Sequence, residues 1–199
     1  MKKNLGEALL QASLQSDTDE VLRLLNAGAP LNFTNDIGKT ALHCAAHADA
    51  VQVATLLISK GADVHAKDKV GNTPLHCAAM SGGPDSILFL LSKGADANAK
   101  NDMGNTPLHC ATIGNSPAGL ATFLRKFEMW DGKNLASFPD DDGRGPQSAD
   151  HIIAVTSAKD SYSKAVVALL ENGADPNAVN EEGKTPLTMA MTPMDTKQP

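Results

Sequence analysis

The chain has 199 residues, a formal net charge of -6, three cysteines, and only five Phe, one Trp and one Tyr beside 42% hydrophobic content. No Lys/Arg cluster supplies the cationic footprint that displaces counterions from nucleic acid, and no apolar run nears the ~20 residues of a membrane span. An odd cysteine count fits a reducing compartment better than a disulfide framework, and abundant Ala, Leu and Gly point to thin layers packed by small side chains.

Taken in chain order, Met1-Lys2-Lys3 is basic, but Glu7 and Gln11 interrupt any apolar signal core, so a cytoplasmic location is expected. Residues 4–27 read as a first helical pair with Gln11, Gln15 and Asp17 on a polar outer face. A phrase then recurs: Thr40-Ala41-Leu42-His43-Cys44-Ala45, Thr73-Pro74-Leu75-His76-Cys77-Ala78 and Thr106-Pro107-Leu108-His109-Cys110-Ala111, in steps of 33 residues. It returns as Thr185-Pro186-Leu187-Thr188. A second phrase keeps the same phase, at Gly28-Ala29-Pro30, Gly61-Ala62-Asp63, Gly94-Ala95-Asp96 and later Gly173-Ala174-Asp175. Each Thr stands where a helix needs an N-cap hydroxyl, and Pro suits the following position. Each Gly follows a helix ending in an apolar pair, where a left-handed cap is required. Those pairs are Leu24/Leu25, Leu57/Ile58, Leu90/Leu91, Phe123/Leu124 and Leu169/Leu170.

The period breaks between Thr106 and Thr185, a step of 79 residues. Phe123/Leu124 keeps the register, but Phe127 stands where Gly is expected, and Glu128 to Pro139 replace the usual turn. Taking Gly143 as the next turn glycine divides the surplus into insertions in a fourth and a fifth repeat. The last unit begins at Thr185 and lacks a second helix before Pro199.

Two phrases in phase at 33 residues resemble the ankyrin-repeat family across nearly the whole chain. That resemblance implies an all-α solenoid of about five and a half helix–turn–helix repeats, each carrying an outward β-hairpin-like turn, in one domain spanning 1–199. The expected repeats are 4–37, 38–70, 71–103, 104–142 and 143–182, the last two with insertions, and a truncated 183–199. It also implies that His43, His76 and His109 link neighbouring repeats by hydrogen bonds, a pattern from which Thr188 departs.

The function implied is binding of another protein through the concave groove and hairpin tips, as an adaptor, scaffold or inhibitor. Two alternatives stand beside it: a regulatory module of a larger enzyme or channel, and a secreted bacterial effector acting in a host cytosol. Catalytic signatures are lacking, so no enzyme activity and no cofactor are expected. Cys44, Cys77 and Cys110 invite a metal reading, but equivalent positions in stacked helices lie about 8–10 Å apart, too far for shared zinc ligation or a disulfide. They read as small buried hydrophobes, and the chain as a monomer.

The candidate contact surface starts from Ile37, Val70 and Met103, apolar residues at three successive turn tips where polar residues are usual. Around them lie Asp36, Lys39, Lys67, Lys69, Asn72, Lys100, Asp102 and Asn105, while His47, Met80 and Ile113 face the same side by the family's geometry. The tips either form an exposed stripe or pack on one another. Trp130, with Phe138, is either an exposed anchor of the kind enriched at interfaces or a plug for the irregular region.

Overall fold

A computed structural model describes residues 2–113 and 161–191, and its helices follow the periodicity. In chain order these are α1 (Lys2–Leu14), α2 (Thr18–Asn26), α3 (Ala41–His47), α4 (Val51–Ser59), α5 (Pro74–Ser81), α6 (Pro84–Ser92), α7 (Pro107–Ile113), α8 (Ser161–Glu171) and α9 (Pro186–Met191). Among the described residues there is no strand. Odd-numbered helices α1, α3, α5, α7 and α9 form an inner row, and α2, α4, α6 and α8 an outer one.

The core between the rows is a ladder of equivalent side chains. Leu9, Leu42, Leu75, Leu108 and Leu187 supply the inner rungs and Leu24, Leu57, Leu90 and Leu169 the outer ones, all buried. Ala45, Ala78, Ala111 and Ala190, also buried, leave room for inner helices to approach closely. Each outer helix ends where the sequence indicates: after α6, Gly94 takes φ +87°, and Ala95 N–H donates to Leu90 O at 3.0 Å, closing the carbonyls of the last turn. At the other end of the stack, Phe33 lies flat on α1 against Gly6, where any β-carbon would collide with the ring.

Between helical pairs the chain makes a tight hairpin at 35–39, 68–72, 101–105 and 180–184, closed for example by Asn101 N–H donating to Asn105 O at 3.0 Å. An Asx turn shapes each tip; Asn101 Oδ1 accepts from Met103 N–H and Asn105 N–H, both at 3.0 Å. The glycine at each of the first three tips, Gly38, Gly71 and Gly104, answers a double constraint. Gly104 has φ +72°, and a β-carbon there would stand 2.8 Å from Glu181 N on the next hairpin.

Successive hairpins are zipped tip to tip. Lys69 N–H donates to Ile37 O at 3.1 Å, Asp102 N–H to Val70 O at 3.1 Å and Glu181 N–H to Met103 O at 3.0 Å. The last of these bonds changes the outline expected from the sequence. Hairpin 101–105 abuts hairpin 180–184 directly, and α8 packs against both α6 and α7 as the outer partner of α7. The helices α7 and α8, which the sequence assigns to separate repeats 104–142 and 143–182, therefore form one helical pair. The described residues make four helical pairs and the lone α9, with 114–160, which lie outside the described residues, joining the two helices of the fourth pair. The local period alone does not pair α7 with α8, because Phe123/Leu124 and Leu169/Leu170 carry the same apolar signature; the contacts of α8 do.

One helix is capped from a neighbouring repeat. Asp49, at φ +53°, accepts from Ser86 N–H of α6 at 2.7 Å, and Gly83 leaves room for its carboxylate. α7 and α8 pair across the stack as α5 and α6 do, and the chain runs from one to the other through residues 114–160. Replacing them with a two- or three-residue turn like those at 82–83 and 48–50 is expected to keep one cooperative thermal transition and the helical circular dichroism of the other pairs. A lost transition, or a melt split in two, would mean that the segment supplies part of the stack.

Candidate functional site

Three imidazoles hold the hairpin side of the stack in place. In each, the Thr that caps the inner helix and the His three residues later bind reciprocally: Thr73 N–H donates to His76 Nδ1 at 3.1 Å, with the Thr73 hydroxyl 2.9 Å from the same nitrogen. Nε2 then reaches the next repeat, 3.0 Å from Asn72 O for His43, from Asn105 O for His76 and from Lys184 O for His109. A carbonyl only accepts, so Nε2 carries the hydrogen and Nδ1 is the acceptor. His109 and its acceptor lie 75 residues apart where His76 and its acceptor lie 29 apart, yet the contact is the same. The inter-repeat role implied for these histidines is thus present at all three. Thr188, in the fourth such position, keeps the local half: Thr185 N–H donates to Thr188 Oγ1 at 2.8 Å.

Around these bonds runs a buried amide ladder. Asn101 Nδ2 donates to Asn72 Oδ1 at 2.8 Å, and Asn180 Nδ2 to Asn105 Oδ1 at 2.9 Å. Asn72 and Asn105, expected at the contact surface, are therefore corrected to structural residues: both are buried and their side chains join hairpin to hairpin. A buried amide with its partners in place fixes the register between repeats, and removing one leaves the other unsatisfied.

The apolar tips are open to solvent. Ile37, Val70 and Met103 are 56%, 49% and 54% exposed, so they are not buried against one another. The tip zipper holds them in the same phase on adjacent repeats, about 10 Å apart from the usual spacing of packed helices. Asp36, His47, Lys67, Lys69, Met80, Lys100 and Asp102 are also exposed, and Lys39 is half-buried. The row ends at the fourth hairpin with exposed Glu181 and Glu182, the latter 2.8 Å from Lys184 Nζ. The side chain of Ile113, Trp130 and Phe138 lie outside what is described.

Two features of this edge were not anticipated. Lys67 Nζ donates to Lys100 O at 3.2 Å, and Lys100 Nζ to Val179 O at 2.9 Å, so each lysine lies along the next hairpin. Their common phase, one 33-residue step apart, was the available signal. Val179, in that phase on the last hairpin, is apolar and 48% exposed.

The cysteines form a buried row behind the histidines, and all three thiols are free. Burial pushes the Cys77 thiol up to about 11 and Cys110 up to about 12, which leaves almost no thiolate at neutral pH. Among the described residues no group of three or more His, Cys, Asp or Glu could hold a metal ion, and no helix is long and apolar enough to cross a membrane.

A family model described as "Ankyrin repeats (3 copies)" matches residues 9–101 and 67–131, and one described as "Ankyrin repeats (many copies)" matches 154–192. No curated protein matches the chain.

The histidine bridges generate a pH prediction. Burial is the largest cause holding His43, His76 and His109 below the ordinary imidazole value, opposed by the carbonyl each one meets. The unfolded chain therefore binds more protons than the native one once pH drops below about 6.5. Their contribution is complete above that value and is lost as pH falls through the lowered native ones, by up to about 1.4 kcal/mol per histidine per pH unit. Urea unfolding between pH 7.5 and 5 is expected to show this decline, with a shallower slope in His76→Gln. A slope that His76→Gln leaves unchanged would remove His76 from the account. The thiols give a second check: a thiol reagent is expected to modify Cys44, Cys77 and Cys110 quickly in denaturant and slowly in the native protein.

Proposed function

From the premise that the chain belongs to the ankyrin-repeat family, whose members are generally protein–protein interaction modules, we propose that it is a non-enzymatic adaptor, scaffold or inhibitor that grips a partner protein along its hairpin tips. The observation that carries this reading is the row Ile37, Val70 and Met103, exposed on three consecutive repeats. Large apolar side chains standing in phase on a rigid edge lose little conformational freedom on binding, and covering them removes apolar surface from water. His47 and Met80, exposed on the inner helices, extend the surface into the concave groove. The three free, buried thiols support a cytoplasmic setting for this work, and the chain acts as a monomer with no cofactor.

The test is a triple substitution, Ile37→Ser with Val70→Ser and Met103→Ser. All three side chains are exposed, so the stack and its helical circular dichroism are expected to persist. Proteins captured by the unaltered chain from a cell extract, identified by mass spectrometry, are expected to bind the triple variant about tenfold more weakly or less. Capture that survives at full strength moves the contact surface elsewhere.

A further inference from the structure

Around the second and third hairpin tips the charge runs against that of the chain. Acidic residues outnumber basic ones 23 to 17 in the sequence, yet exposed Lys67, Lys69 and Lys100 stand at or beside two neighbouring hairpins, 68–72 and 101–105. Among the described residues, the ion pairs are Arg23–Glu20 and Lys184–Glu182, so none of these three ammonium groups is paired with a carboxylate. Two of them are held in place by main-chain carbonyls of the next hairpin, Lys67 by Lys100 O and Lys100 by Val179 O. A carbonyl orients an ammonium without cancelling its charge, and each nitrogen keeps further donors for another acceptor. The surface is thus a line of apolar side chains about 10 Å apart, with three lysines at its second and third hairpins outnumbering the exposed Asp102 there, while Asp36 sits at the first.

Resting on the reading of the tips as the contact surface, we propose that the partner presents an acidic segment, with carboxylates interleaved among apolar side chains, to the Ile37–Val70–Met103 row. The apolar groups of that segment cover the three tips, and its carboxylates meet Lys67, Lys69 and Lys100. The charge also gives the docking a direction. The fourth hairpin is acidic at Glu181 and Glu182, so the acidic stretch lies over the second and third hairpins and is repelled from the fourth. A polyanion such as single-stranded nucleic acid would satisfy the lysines but leave the three apolar side chains uncovered. Charged contacts of this exposed kind add selectivity and speed of encounter more than affinity, and they weaken with salt.

A phage library displaying random 16-residue peptides, selected on the full chain at low salt, tests this directly. Selected peptides are expected to be enriched in Asp and Glu together with Leu, Ile, Val or aromatic residues, and depleted in Lys and Arg. Selection on the charge-reversed variant, Lys67→Glu with Lys69→Glu and Lys100→Glu, is expected to reverse that preference. Synthetic copies of the acidic peptides are expected to lose about tenfold in affinity for the charge-reversed variant. An unchanged charge preference in that variant, no acidic enrichment, no peptide recovered, or a labelled oligonucleotide bound more tightly than the best peptide would each overturn the proposal. Its failure is distinguishable from failure of the contact-surface reading. Peptides that lack acidic bias but lose binding to the Ile37/Val70/Met103→Ser variant leave the tips as the site and remove only the acidic partner. Acidic peptides that bind the serine variant undiminished place the surface elsewhere.

Discussion

A stack of thin repeats has one recurrent physical difficulty: each layer is too small to bury its own apolar face, and adjacent layers must meet in a fixed register. The imidazole at the start of the inner helix addresses the second part. One nitrogen of His43, His76 or His109 is committed to the Thr that caps its own helix, and the other to a main-chain carbonyl of the next hairpin. A single neutral ring thus ties a helix start to the following turn. Because the ring is buried, neither bond is exchanged with water. The Asn72–Asn101 and Asn105–Asn180 amide pairs and the tip-to-tip main-chain bonds depend on the register that these rings set.

Much of this could be read from residue order alone. The 33-residue step, the Thr and Pro at helix starts and the glycine after each apolar pair are local signals, and each stands where local chemistry places it. The exposed tips could be read as candidates because an apolar residue inside an Asx turn has no neighbour within its own hairpin to pack on. What escaped the sequence is what distant segments decide together. Leu169/Leu170 and Phe123/Leu124 carry equivalent signals for an outer helix, and nothing local chooses between them. The choice is visible only in the contacts of α8 with α6 and α7 and in the bond from His109 to Lys184 O.

Asn72 and Asn105 show the same limit on a smaller scale. Both sit between a turn glycine and a capping Thr, a position that reads as solvent-facing. Their amides turn inward because the following hairpin offers an amide of its own at the right height. Lys67 and Lys100, read as residues around the tips, show the converse: each lies against a carbonyl one repeat along. In every case the missing information was the identity of the neighbour, which a periodic pattern specifies only while the period holds.

The tip zipper has a mechanical consequence. Each junction along that edge is spanned by one main-chain hydrogen bond, from Lys69 to Ile37, Asp102 to Val70 and Glu181 to Met103, while the helical side of the same junction is a broad apolar contact. Tension applied along the tips is therefore borne by a few directional hydrogen bonds at each junction, the tip bond together with the bridging His and, at the second and third junctions, Asn and Lys side chains. One side of the solenoid is thus held by directional bonds and the other by apolar packing, and the bonded side carries Ile37, Val70 and Met103. A partner seated across several tips adds a further link across those junctions, whereas one that touches a single tip adds none.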